Sequence, residues 1–364
     1  MNAATAPRAV RHAARLLHVD PARDTVAHGR ALDLPQRLRP GDLVIVNDAA
    51  TLPGSLRLPE LDAEVRLVAH GARPGEFTAL LFGPGDHRTP TERRPPPPGV
   101  ELGQRLCFGG GLEAVVTAVD AQAPRLIQLG FSRSGAELLQ ALYRLGRPVQ
   151  YAHVPEALEV WDVQNRYGGR PWAFELPSAG YAMDGELLLA LRQRGVAIAT
   201  LTHAAGISST GSVALDRRFP LPERFEIPAS TVAAIAAARA HGGRVLAVGT
   251  TVVRALEASA ADHGTPRAGR SEARLRLGHG FEPRVVHGVL SGVHEPDTPH
   301  FALLQAFAPR ALLERALGAA RVEGYLLHEF GDTCLVWSSA PKPGARDHGE
   351  PEGAASSQTA RAAA

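Results

Sequence analysis

The sequence predicts a mixed α/β (α+β) protein in which a small all-β module interrupts a larger α/β domain. Three observations predict it. Gly41 to Asn47 reads as a turn followed by a wholly apolar strand. From Leu56 to about Val119, short apolar runs alternate with Gly and Pro turns, as in all-β modules. After Tyr151, apolar strands alternate with helical patterns, as in α/β domains. The simplest organisation joins 1–55 and 151–338 into one α/β domain and inserts 56–150 as the β-rich module. Residues 339–364, rich in Pro, Gly, Ala, Ser and charge, read as a disordered tail.

The elements follow in order. Glu64–Ala69, Phe77–Phe82 and Leu112–Val119 are the apolar runs of the module, and the loop 83–99, with Pro95 to Pro98, cannot join a ladder. Ser134–Leu145 carries Leu138, Leu139, Leu142 and Leu145 at helical spacing. Asp184 can cap a helix over Glu186–Arg194 that stops at Gly195, and Val196–Leu201 follows as a strand. Ser230–Ala240 is an alanine-rich helix closed by Gly242 and Gly243. Arg244–Val248 is a buried strand running straight into a helix over Thr251–Ser259. Phe301–Leu317 reads as one further helix, and Tyr325–Trp337 holds the last strand. No internal repeat is visible.

Composition bounds the class. The 364 residues, 45% hydrophobic and 21% charged, suit a soluble globular chain of about two domains. Two distant cysteines, Cys107 and Cys334, argue against a disulfide scaffold or a multi-cysteine zinc site and fit a reducing cytoplasm. No apolar run is long enough to span a membrane, and the N-terminus lacks an export core. A net charge of +2 neither demands nor excludes nucleic acid. Lys342 is the only lysine, so 39 − 1 = 38 basic residues are arginine, which suits phosphate contacts but equally reflects codon bias.

Dinucleotide-loop, P-loop, zinc-helix and nucleophile-elbow motifs are absent, and no metal is expected. The segment Gly242–Glu257 carries the best local signal. Its strand enters Gly249-Thr250-Thr251 at a helix N-terminus, a place that favours an anion such as a carboxylate, with Arg254 one turn in. The same spacing is served if the threonines only cap the helix and Arg254 pairs internally. Pro177, Ser178, Ala179 and Gly180 precede a helix and let a ligand approach the backbone, or form an ordinary loop. Gly206 opens a polar loop, Ile207-Ser208-Ser209-Thr210-Gly211, beyond a strand's carboxyl end. His294 and Asp332 are isolated polar candidates, each equally at home as a satisfied structural residue.

Taken in order, these stretches resemble the S-adenosylmethionine:tRNA ribosyltransferase-isomerase family of queuosine biosynthesis from about residue 15 to 337. Arg39 to Asp48 (ending at Asn47 and Asp48), Leu176 to Gly180, Arg194 to Val196, Glu226 to Pro228 and Gly242 to Glu257 carry the likeness. So do Arg284 to Val286, His294, Ala306 to Ala308, Gly331 and Asp332. The resemblance implies a larger α/β barrel-like domain with a small inserted β-barrel. It implies S-adenosylmethionine as ribosyl donor and tRNA as partner. The ribosyl group moves to 7-aminomethyl-7-deazaguanine in the anticodon, giving epoxyqueuosine, while adenine and methionine leave. It implies donor contacts at Asn47, Pro177 to Gly180, Gly206 and Gly249 to Thr251, with Arg254 on the methionine carboxylate. His294 would do acid or base work, and Asp332 would orient it or face the sulfonium. A cytoplasmic monomer is expected.

The chain also departs from the family pattern. Where the family reads Pro-Thr-Ala-Gly-Leu-His-Phe, Ala182 stands in the histidine's place. Leu201-Thr202-His203-Ala204-Ala205-Gly206 replaces Leu-His-Val-Gly-x-Gly, and His203, displaced by one, points to the opposite face of a continuing strand. Leu221-Pro222-Glu223 keeps only the acid of His-Ser-Glu. Gly292 to Pro296 replaces Asn-Phe-His-Leu-Pro, and Tyr325-Leu326-Leu327 replaces Tyr-Arg-Phe. Two alternatives therefore stand beside a working enzyme: a paralogue that binds S-adenosylmethionine and acts on a non-tRNA acceptor, and a non-catalytic binding relative.

Overall fold

The computed structural model describes residues 1–338 except Ser208, Asp262 and Asp297, so the expected tail at 339–364 lies outside the described residues. A nine-stranded sheet organises the larger part. Its order is Gly269–Ala273, Glu223–Ile227, Ala197–His203, Leu43–Asn47, Val245–Val248, Gly288–Gly292, Thr333–Trp337, Arg15–Asp20, Thr25–Arg30. The four strands from Ala197–His203 to Gly288–Gly292 are mutually parallel. Their carboxyl ends at His203, Asn47, Val248 and Gly292 therefore emerge on one side, the place where open α/β sheets bind ligands.

The apolar run Leu43–Asn47 is buried along its whole length because it lies inside the sheet with both faces covered. Its side chains alternate between two cores. Leu43 and Ile45 pack with the helices Ala229–Ala240, Thr250–Ala260, Pro299–Leu304 and Arg310–Val322. Val44 and Val46 pack with the helix Gly185–Gln193 on the opposite face. Asp184 caps that last helix, its side chain accepting from the Leu187 N–H, and Gly195 closes it at φ +79°. The helix expected over Phe301–Leu317 is two helices. Pro309, which has no N–H to continue a helical ladder, divides Pro299–Leu304 from Arg310–Val322. The hairpin Arg15–Asp20/Thr25–Arg30 was not evident in the sequence, because its second strand is largely exposed.

The inserted module is a six-stranded antiparallel sheet, nearly closed, in the order Ser55–Leu58, Ala63–His70, Glu76–Phe82, Leu126–Phe131, Glu113–Val119, Arg105–Cys107. The helix Gly135–Leu145 buries Leu138 and Leu142 in its core. That core also takes in Phe174, Ala204, Ile207, Leu215 and Phe219 from later in the chain. The loop beyond the strand Ala197–His203 thus packs against the module. Among the described residues no helix is long and apolar enough to cross a membrane.

Candidate active site

Val248 leads into Gly249, whose φ of +96° suits glycine alone. A Cβ there would sit 3.5 Å from Ala179 Cβ and 3.4 Å from Thr251 Oγ1, so the turn after Pro177 and this turn lie against each other. The helix Thr250–Ala260 begins at once, and no side chain caps it. Its first-turn N–H groups have no acceptor within the helix. Asn47 fastens the adjacent strands. It donates from Nδ2 to the His203 carbonyl (3.0 Å) and reaches Thr251 Oγ1 (3.5 Å), and its Oδ1 accepts from the N–H of His203 (2.9 Å) and Ala49 (3.1 Å). Asn47 therefore shapes the site with every hydrogen-bonding arm engaged inside the chain.

A line of polar rings approaches the same helix end. Ser291 Oγ lies 2.8 Å from His294 Nε2. The His294 ring stacks on His300, with centroids 4.6 Å apart and planes 21° apart. His300 Nδ1 lies 3.2 Å from Thr250 Oγ1. Both rings keep some solvent-facing surface but are largely surrounded by protein. Burial holds His294 well below the usual histidine range, and His300 and His328 reinforce it. Burial, aided by Arg254, lowers His300 to about 4. Both imidazoles are consequently neutral near pH 7, the form able to accept a proton. Sequence reasoning found His294 and Thr250 but missed His300 and Ser291. The His294-x5-His300 spacing was visible, but only the fold stacks the two rings.

Ser178–Gly180 forms one tight turn. Glycine is required at 180 because a Cβ would lie 1.9 Å from Tyr167 Oη. Ser178 and Ala179 line a small cavity with Ala182, Gly292, His328 and Asp332. Ala182 is only 3% exposed. Its methyl group offers no proton to this cavity.

The guanidinium of Arg254, expected on a bound carboxylate, pairs with Glu223, and it also donates to the carbonyls of Ala273 (3.0 Å) and Leu275 (3.3 Å). The internal pairing left open by its spacing is the one observed. The physical reason is that Glu223 and Arg254 are each 7% exposed, and neither buried charge is tolerable alone. Gly206 belongs to the same network, because its N–H donates to Glu223 Oε1 (2.7 Å). His203 is fully buried beside it, with Nε2 3.6 Å from Glu223 Oε2, and neither ring nitrogen makes a hydrogen bond. Burial and then Arg254 keep it neutral.

Asp332 accepts from Arg8 Nη2 (2.7 Å) and from the N–H groups of Arg15 and Leu326 (both 2.8 Å). Both carboxylate oxygens are thus engaged in tying the N-terminal segment to the last strands, and Ser291, not Asp332, orients His294.

The family described as "Queuosine biosynthesis protein" matches residues 1–336. The S-adenosylmethionine:tRNA ribosyltransferase-isomerase of Acidithiobacillus ferrooxidans is 35% identical over 94% of this chain and 96% of its own length. Proteins of the same name from Gloeobacter violaceus and Anaeromyxobacter dehalogenans are each 33% identical over 92% of this chain, and over 92% and 95% of their own lengths. The crystal structure of an S-adenosylmethionine tRNA ribosyltransferase from Thermotoga maritima superposes with a TM-score of 0.50 at 22% identity, over 92% of this chain and 95% of that one. At that identity the likeness speaks for the fold.

Proposed function

This chain belongs to the queuosine biosynthesis protein family, and from that premise we propose that it is an S-adenosylmethionine:tRNA ribosyltransferase-isomerase. It would transfer the ribosyl part of S-adenosylmethionine to 7-aminomethyl-7-deazaguanine in tRNA, giving epoxyqueuosine with loss of adenine and methionine. The observation that carries the reading is likeness to relatives of that name along nearly the whole of both chains. The reading also has the protein act in the cytoplasm as a monomer.

The geometry supports a division of labour. The uncapped N-terminus at Thr250 and Thr251 takes the methionine carboxylate through backbone N–H groups and hydroxyls, without Arg254. Pro177 to Gly180 and Gly249 let the donor lie close to the backbone, while Asn47 and Gly206 shape the floor. The reaction needs a base for the ribose carbon next to the sulfonium, whose positive charge makes that proton acidic. His294 is that base. It is neutral, hydrogen-bonded to Ser291 and stacked on His300. Asp332 contributes by holding the last strand in place.

Adenine release from S-adenosylmethionine tests the reading. Release that requires a tRNA bearing the aminomethyl base is expected. Ala182 and the changed strand end at Thr202 and His203 favour a second reading, transfer to a non-tRNA acceptor. Release with a small amine and none with the tRNA would establish that alternative. Binding of S-adenosylmethionine without any release would mark a non-catalytic relative.

A further inference from the structure

We propose that His153, His328 and Glu329 form a binding site for one divalent transition-metal ion, beside the reaction cleft and separate from the His294–His300 pair. One ligand atom from each of the three lies within 4.8 Å of the others. His153 Nε2 and Glu329 Oε2 are 2.6 Å apart. The His153 and His328 rings lie face to face, with centroids 4.3 Å apart and planes 23° apart. Bond lengths of about 2.0–2.2 Å in a tetrahedral shell put neighbouring ligand atoms roughly 3.3 Å apart. Binding would move His153 and Glu329 slightly apart and turn the His328 ring out of its stack on His153, so that its in-plane lone pair meets the ion.

The donor chemistry selects the ion. Two imidazoles and one carboxylate suit Zn2+ or a similar borderline divalent ion, while an all-oxygen shell would suit Mg2+ or Ca2+. Three protein ligands leave a fourth position open, and the exposed face of His328 gives solvent access to it. The backbone is arranged for this. His328 has φ +70°, a left-handed conformation uncommon outside glycine though commoner for histidine than for most residues, and one that functional sites often hold. His328 and Glu329 also line the small cavity that holds Ser178, Ala182 and Gly292, so the ion would sit at the edge of the cleft. Sequence spacing carried no hint of the site, because His153 and Glu329 are 176 residues apart and the three residues match no ligand motif.

The test uses tagless full-length protein stripped with a chelator. Zn2+ is titrated calorimetrically, and Co2+ is added as a visible-absorption probe of coordination. The expected result is one ion per chain, with affinity reduced at least tenfold in His153→Ala, His328→Gly and Glu329→Gln and unaltered in His241→Ala. His328→Gly removes the ligand and relieves the left-handed backbone, and an unchanged urea midpoint separates lost binding from misfolding. No saturable binding, or binding that survives all three substitutions, would overturn the proposal. Because the readout is binding alone, its outcome is independent of whether ribosyl transfer is observed.

Discussion

Replacing Glu223 by Ala removes one partner of a buried pair and should cost about 3–5 kcal/mol of folding free energy. Glu223 accepts from Arg254 through one oxygen and from the Gly206 N–H through the other, and both side chains are 7% exposed. The substitution strands a guanidinium and a backbone donor in the interior, and an unsatisfied donor alone costs about 1–3 kcal/mol. Arg254 keeps the carbonyls of Ala273 and Leu275, which places the expected loss near the lower end, about 3 kcal/mol. Urea unfolding of wild type, Glu223→Ala, Arg254→Met and the double variant Glu223→Leu/Arg254→Met measures it. The double variant should regain most of the loss, because a well-packed apolar pair replaces a buried ion pair at little cost. The KM for S-adenosylmethionine should change little in Arg254→Met. Unchanged stability together with a KM raised more than tenfold, about 1.4 kcal/mol, would refute the reasoning and return Arg254 to the donor carboxylate.

Three further outcomes are expected. His294→Ala should lower the rate of adenine release by at least about a hundredfold, the usual contribution of a general base, with the melting temperature unchanged; full activity would remove His294 from the chemistry. Gly180→Ala forces a Cβ to within 1.9 Å of Tyr167 Oη and should destabilise by about 1–3 kcal/mol, read from the urea midpoint, unless Tyr167 is also truncated. Burial lowers both His70 and His300 from 6.5 to about 4, so the folded state binds fewer protons than the unfolded state between those values. Their stabilisation is therefore complete above pH 6.5 and is lost as pH falls toward 4. At pH 5 each should have cost up to about 2 kcal/mol. His70→Phe, in a position already ringed by Phe77, Phe174 and Trp172, should flatten this acid limb of a stability–pH curve.

Much of the fold was legible because it rests on local physics. The buried strand Leu43–Asn47, the Asp184 cap, the Gly195 stop and the strand-to-helix turn at Gly249 each depend on a few neighbouring residues. Hydrophobic periodicity and turn chemistry report such features directly. The helix break at Pro309 was missed because the apolar spacing continued through it. Of the site, the residues whose role is set by the backbone, Gly249, Thr250 and the turn at Ser178 to Gly180, were readable for the same reason.

The partners of the charged groups were not readable. Arg254 has the spacing of an anion-binding residue, yet only the position of Glu223 on the neighbouring strand decides that it is spent internally. Asp332 looks catalytic beside a glycine, yet Arg8 and the Arg15 N–H, more than 300 residues earlier, engage it. His300 stacks on His294, and His153 reaches Glu329, only after the sheet brings distant carboxyl ends and loops together. The sequence by itself determined the mixed α/β class, the family and the strand-to-helix turn at Gly249. The tertiary structure alone decided which ionisable groups are free and which are neutral, because long-range pairing and desolvation depend on what lies within a few ångströms in space, whatever the distance along the chain.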